Sequence, residues 1–193
     1  MDDKFDLFVT LKEEMTACHG CSKSSKLRLL DSGNRNARIM IISPSPTKDE
    51  ALNGKFFSGE RGRFVDGLLK LQDVDTENVY KTALINCVPP EGDQPTKSDT
   101  DVCIRCLRRQ FSLVSPEIVI CLGRTVSQRI IRPDFSLKRD HGRWERKGSA
   151  VFMGTFDPNA FRYEKNLSNL MLSDFCVLGE YLKTYPPVQN TNC

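Results

Sequence analysis

Four short apolar runs punctuate the chain: Ala37 to Ile42, Val79 to Asn86, Pro116 to Leu122 and Ala150 to Met153. Runs of this length, bounded by turn residues, read as strands buried on both faces. The first is stopped by Ser43-Pro44-Ser45-Pro46, because proline cannot donate to a ladder. Between and around them the apolar positions change to a helical period. Gly62 to Leu71 aligns Phe64, Val65, Leu68, Leu69 and Leu71, and Ser98 to Val114 aligns Val102, Cys103, Cys106, Leu107 and Phe111. Arg124 to Ile131 and Leu167 to Tyr181 give two further helices, and Asp6 to Met15 a short first one through Leu7, Phe8, Leu11 and Met15. The stretches 22–36, 47–61, 88–96 and the basic segment before Trp144 read as loops.

Strands alternating with helices predict an α/β fold: a three-layer sandwich with a central, mostly parallel four-stranded sheet flanked by helices. One domain is expected over residues 1–185, with 186–193 as a frayed tail. In such sheets ligands bind beyond the carboxyl ends of the strands. The loops 43–61, 87–97, 123–124 and 154–159 are therefore expected to build the site.

Composition narrows the class. Of 193 residues, 39% are hydrophobic and 27% charged, as in a soluble globular protein. The net charge of +3 is too small to imply nucleic acid, but its distribution is uneven. From Arg124 to Lys147 eight Lys or Arg stand against three acids, Asp134, Asp140 and Glu145. Such an excess can follow a phosphate backbone or form a solvated basic face. The acidic start has no signal core and no apolar run reaches membrane-spanning length, so an intracellular protein, cytoplasmic or nucleoid, with no membrane contact is expected. In that setting eight cysteines point to metal or reactive roles ahead of disulfides.

Four thiolates close a metal site, and two sets are available. One is Cys18, Cys21, Cys87 and Cys103. The other pairs two Cys-x-x-Cys motifs, Cys18/Cys21 and Cys103/Cys106, as a zinc knuckle would, and spacing alone slightly prefers it. Cys121 and Cys176 lie in apolar stretches and read as small buried residues. His19, between two candidate ligands, reads as a surface or supporting residue.

From about Cys18 to Tyr181 the chain resembles the family 4 uracil-DNA glycosylases, which carry a four-iron, four-sulfur cluster. The resemblance rests on Cys87-Val88-Pro89-Pro90, with fifteen residues between Cys87 and Cys103. It also rests on Leu107-Arg108-Arg109-Gln110, Pro116-Glu117-Ile118-Val119, Leu122-Gly123-Arg124 and Gly142-Arg143-Trp144. It implies the first set of cysteines as ligands to a 4Fe-4S cluster, with structural zinc as the alternative, and leaves Cys106 as an extra thiol.

The resemblance also implies a mechanism: a base is extruded from DNA, held by stacking and edge hydrogen bonds, and cut from its sugar. Phe57, between Gly54 and Gly59, stands where the family stacks the base. The other positions differ. The family's water-activating Glu falls on Pro44, its uracil-reading Asn on Ala83, and the His of its His-Pro motif on Asp157, before Pro158. Proline has no acid or base function, and an ionised Asp accepts hydrogen bonds without donating one. Asp157 is therefore the candidate catalytic carboxylate, ahead of Asp49 and Glu50, which read as solvated loop residues. Phe57, Pro44, Ser45, Ala83 and Pro158 are the candidate substrate contacts, and Lys138, Arg139, His141 and Arg143 the candidate DNA contacts. The expected function is a monomeric DNA glycosylase with an altered base range, acting on double- or single-stranded DNA. The alternative is a scaffold that binds DNA or a modified nucleotide without turnover.

Overall fold

In the computed structural model, residues 3–20, 27–90, 95–162 and 166–186 are described. Six strands form one mixed sheet: β1 (Ser32–Gly33), β2 (Ile39–Ser43), β3 (Val79–Ala83), β4 (Ile118–Leu122), β5 (Trp144–Lys147) and β6 (Ala150–Thr155), in the order β1-β3-β2-β4-β6-β5. The expected four strands are its parallel centre, and the count of four is corrected to six. Both edges carry an antiparallel strand, β1 on β3 and β5 on β6. Neither has the apolar run that marks a buried strand: β1 has two residues, and three of the four in β5 are charged.

The helices are α1 (Asp3–Thr16), α2 (Lys48–Asn53), α3 (Glu60–Lys70), α4 (Lys97–Val114), α5 (Arg124–Ile130), α6 (Leu137–Asp140) and α7 (Leu167–Thr184). α2 lies inside the stretch expected to be a loop. It is started by a capping box, in which Thr47 accepts from the Glu50 N–H and the Glu50 carboxylate accepts from the Thr47 N–H. α6 and β5 likewise structure the basic segment expected to be irregular.

Strand residues alternate between two cores, as a period of two demands. Ile39, Ile41, Ile118, Ile120, Val151 and Met153 face the layer of α3 and α7 with Val65, Leu69, Met171 and Phe175. Met40, Ile42, Val119, Cys121, Ala150 and Phe152 face the other layer with Phe8, Leu107 and Val126. Because both faces are covered, the four central strands are buried along their whole length. β2 sits between β3 and β4 and pairs in parallel with both. The chain thus leaves the carboxyl end of β2 to one side and returns on the other, which makes that end the switch point of the sheet.

Candidate active site

Three strand ends meet at the switch point. Pro44 follows β2, Gly123 follows β4, and Asp157 lies two residues beyond β6. Gly123 has φ 86, and its N–H donates to the Thr155 carbonyl at 2.7 Å. A Cβ on Gly123 would lie 3.4 Å from Asp157 Cβ and 3.7 Å from Pro44 Cγ. Those are ordinary contacts, so it is the positive φ that favours glycine at this turn. Pro44 itself is buried, and its carbonyl accepts from the Ile85 N–H at 3.1 Å, tying the end of β2 to the chain leaving β3. Ser45 is half-buried beside it.

Asp157 is mostly enclosed. Its Oδ1 accepts the Asn159 N–H at 3.0 Å and lies 3.7 Å from Arg61 Nη1. Burial pushes its carboxyl above the usual range, opposed chiefly by the charge of Arg61. Pro158, buried, opens the short 3₁₀ turn Pro158–Arg162 and lines the adjoining cleft. That cleft, about 600 Å³, also takes in Thr47, Asp49, Ser58, Glu60, Arg61 and Phe64.

Glu50, read from sequence as a solvated loop residue, is corrected: it is 1% exposed. Its carboxylate accepts from the N–H groups of Thr47 and Phe57, at 2.8 and 2.7 Å, and from Arg61 Nη2 at 2.6 Å on each oxygen. Those contacts hold Phe57 at φ 58, a left-handed conformation that costs a residue with a Cβ on the order of 1–3 kcal/mol. Gly62 is required beneath it, since a Cβ there would fall 1.2 Å from the Phe57 carbonyl oxygen. The Phe57 ring is 4% exposed, with the Arg61 guanidinium 5.1 Å from its centroid. Ala83 is fully buried in the same core as Phe56 and Phe57. Sequence reasoning missed Arg61, and the Thr47-to-Glu50 capping spacing was the available signal for Glu50.

The four candidate DNA contacts differ in what already holds them. Lys138 and Arg143 are exposed, and among the described residues neither has an ion-pair partner. Arg139 forks onto Asp140 at 2.8 and 3.0 Å. Asp140 also receives Arg132 at 2.8 Å and the Ser136 N–H at 2.9 Å; Arg139 first, then these, hold its carboxyl below the usual range. His141 Nδ1 is 2.7 Å from Asp174 Oδ1, and the Thr155 hydroxyl donates to the other oxygen of that carboxylate. Its ring lies 5.0 Å from that of Phe156, the residue before Asp157.

Of the candidate metal ligands, Cys21 lies outside the described residues. The other three are drawn to one region. Arg28 Nη1 donates to the carbonyls of Met15, Thr16 and Cys18, at 2.7, 2.7 and 3.1 Å, while the backbone of Arg28 bridges Cys87. The turn after Cys18 packs on α4 closely enough that a Cβ on Gly20 would meet Val102 Cγ1 at 2.8 Å, one residue before Cys103. Cys87 and Cys103 are buried and Cys18 is half-buried. Burial first, and then the neighbouring Cys18, raise the Cys106 thiol above its ordinary value. Among the described residues no three His, Cys, Asp or Glu side chains converge on a point close enough to hold a single ion.

Residues 30–177 match the family model described as the uracil DNA glycosylase superfamily. The chain is 29% identical to the type-4 uracil-DNA glycosylase of Archaeoglobus fulgidus, over 86% of its own length and 89% of that protein's. Against the type-4 uracil-DNA glycosylase of Saccharolobus solfataricus the identity is 27%, covering 95% and 89%. With that of Sulfurisphaera tokodaii it is 26%, covering 91% and 84%.

Proposed function

The chain belongs to the uracil DNA glycosylase superfamily, and from that premise we propose that it is a DNA N-glycosylase with an altered base range. The observation that carries this reading is the mostly enclosed Asp157 carboxylate, two residues beyond β6 at the switch point, with its Cβ 3.4 Å from where a Cβ on Gly123 would lie. A glycosylase needs a flipped nucleotide and a group that stabilises the cationic sugar as the base departs. Asp157 supplies that group. The bond from C1′ to the base nitrogen breaks, and the base leaves with the electron pair. Water then bonds to C1′ and gives its proton to the Asp157 carboxylate. Pro44 adds no acid or base, and Ala83 offers no amide to read uracil. A site without such a polar partner discriminates weakly against related bases. Bases whose glycosidic bonds need little help to leave suit it best.

Four cysteine thiolates, Cys18, Cys21, Cys87 and Cys103, are the donor type a 4Fe-4S cluster takes, and the three that are described lie in one region. The cluster's contribution when bound is structural: it fastens the segment after α1 to α4 and to the loop leaving β3, and so holds the DNA-facing loops to the sheet. Lys138 and Arg143 are the residues we assign to phosphate contact, since Arg139 and His141 are already engaged by carboxylates.

The direct test treats oligonucleotides bearing uracil and a panel of deaminated, oxidised and alkylated bases with the protein, then reveals abasic sites by alkali. Base release that disappears in Asp157→Asn supports the reading; no release from any substrate, beside a working uracil glycosylase, overturns it. One observation favours a second reading, a nucleotide-binding scaffold without turnover: the Phe57 ring is covered by Arg61. That reading requires specific binding of a modified duplex with no abasic product.

A further inference from the structure

Arg61 is 8% exposed yet under-used. Only Nη2 serves Glu50, with both contacts at 2.6 Å. Nε and Nη1 are buried and have no hydrogen-bond partner among the described residues. Leaving a buried donor unmade costs on the order of 1–3 kcal/mol, more when it is charged. An arginine kept only to neutralise Glu50 would more economically fork both nitrogens onto the carboxylate, as arginine commonly does. Here the second nitrogen points elsewhere: Nη1 lies 3.7 Å from Asp157 Oδ1, inside ion-pair range but short of a hydrogen bond.

We propose that Arg61 is a positioning residue for Asp157: anchored by Glu50, it holds a fixed positive charge beside the Asp157 carboxylate and keeps it ionised and aimed within a largely buried site. This rests on the reading of Asp157 as the catalytic carboxylate. Burial by itself works against the ionised form, the only form that can stabilise a cationic sugar or take a proton from water, and a nearby cation works for it. Among the described residues the task falls to Arg61. Glu50, on α2, acts in the opposite sense on Asp157, and the Asn159 N–H is a neutral donor. Pro44 and Gly123 carry no charge. The ring of Phe156, the adjoining residue, packs against His141, whose Nδ1 is committed to Asp174.

The test reads the Asp157 carboxyl directly, by ¹³C NMR titration of the full chain as purified, with the resonance assigned by its loss in Asp157→Asn. In Arg61→Met the midpoint is expected about 1–3 pH units higher than in the unaltered protein, the usual effect of an opposite charge at this range. Arg61→Lys, which retains the charge, should stay near the unaltered value. If Arg61→Met fails to fold because Glu50 is left unpaired, Glu50→Gln/Arg61→Met is compared with Glu50→Gln alone, so that the opposing Glu50 charge is absent from both, and the midpoint is expected to rise from the single to the double variant. An unmoved midpoint in whichever of these folds overturns the assignment. Base release is measured in parallel. Where the unaltered protein releases base, the acid limb of its pH–rate profile should move with the midpoint. A midpoint that moves in a protein releasing no base refutes the glycosylase reading and leaves Arg61's hold on Asp157 standing.

Discussion

Replacing Glu50 with alanine tests how the site is held open to chemistry. The carboxylate is 1% exposed and serves two backbone donors and one arginine. Removing it strands the Arg61 charge, leaves the N–H groups of Thr47 and Phe57 unmatched, and releases the restraint on the left-handed Phe57. Breaking a buried pair by deleting one partner costs about 3–5 kcal/mol. That is a large share of the roughly 5–15 kcal/mol that stabilises a domain. For a chain of this size each kcal/mol lowers Tm by about 2–4 °C, so Glu50→Ala should melt roughly 6–20 °C lower. Urea unfolding followed by circular dichroism gives the free energy. The double variant Glu50→Ala/Arg61→Met should be less destabilised than the two single changes summed, since neither charge is then stranded. A loss below about 1 kcal/mol in Glu50→Ala, or strict additivity in the cycle, would refute the view that this carboxylate organises the loop.

Asp157→Asn should abolish base release yet raise stability at neutral pH in urea titrations. The folded-state pKa of Asp157 is raised, so the folded chain binds the proton more tightly. Its contribution to stability falls as pH climbs from the unfolded value toward the folded one, and the asparagine variant loses that slope. Gly123→Ala, at φ 86, should cost about 1 kcal/mol or more in urea unfolding, because the added Cβ meets a backbone conformation that favours glycine. Lys138→Glu with Arg143→Glu should weaken duplex binding in fluorescence anisotropy and flatten its dependence on salt, whereas an unchanged salt slope would move the DNA face elsewhere. Cys87→Ala should yield colourless protein without bound iron or sulfide, while Cys106→Ala keeps both; the reverse result restores the zinc-knuckle pairing.

The central strands were legible because each is an apolar run short enough to be a strand and buried on both faces. β1 was hidden by its two residues, and β5 by the charges of Glu145, Arg146 and Lys147, which an edge strand can carry because one side meets water. α2 was hidden among turn residues although its capping box was present in the spacing Thr47 to Glu50. The convergence of Pro44, Gly123 and Asp157 followed from strand ends alone, and motif resemblance selected those positions. Arg61 had no local signature. Its burial is set by Glu50, eleven residues before it, and by Asp157 from a distant strand end, and tertiary neighbours of that kind leave no periodicity in a chain.

The two antiparallel edges have a consequence for how the molecule behaves in a crowded solution. A parallel sheet that ended at β3 and β6 would display two rows of open backbone donors and acceptors, ready to accept a strand from another copy. Instead one border is only two residues long and the other reads Trp-Glu-Arg-Lys. A visiting strand would find almost no length to pair with on the first, and on the second a run of charges it would have to accommodate. The short borders that escaped notice in the sequence thus serve as the protein's defence against sheet-to-sheet aggregation.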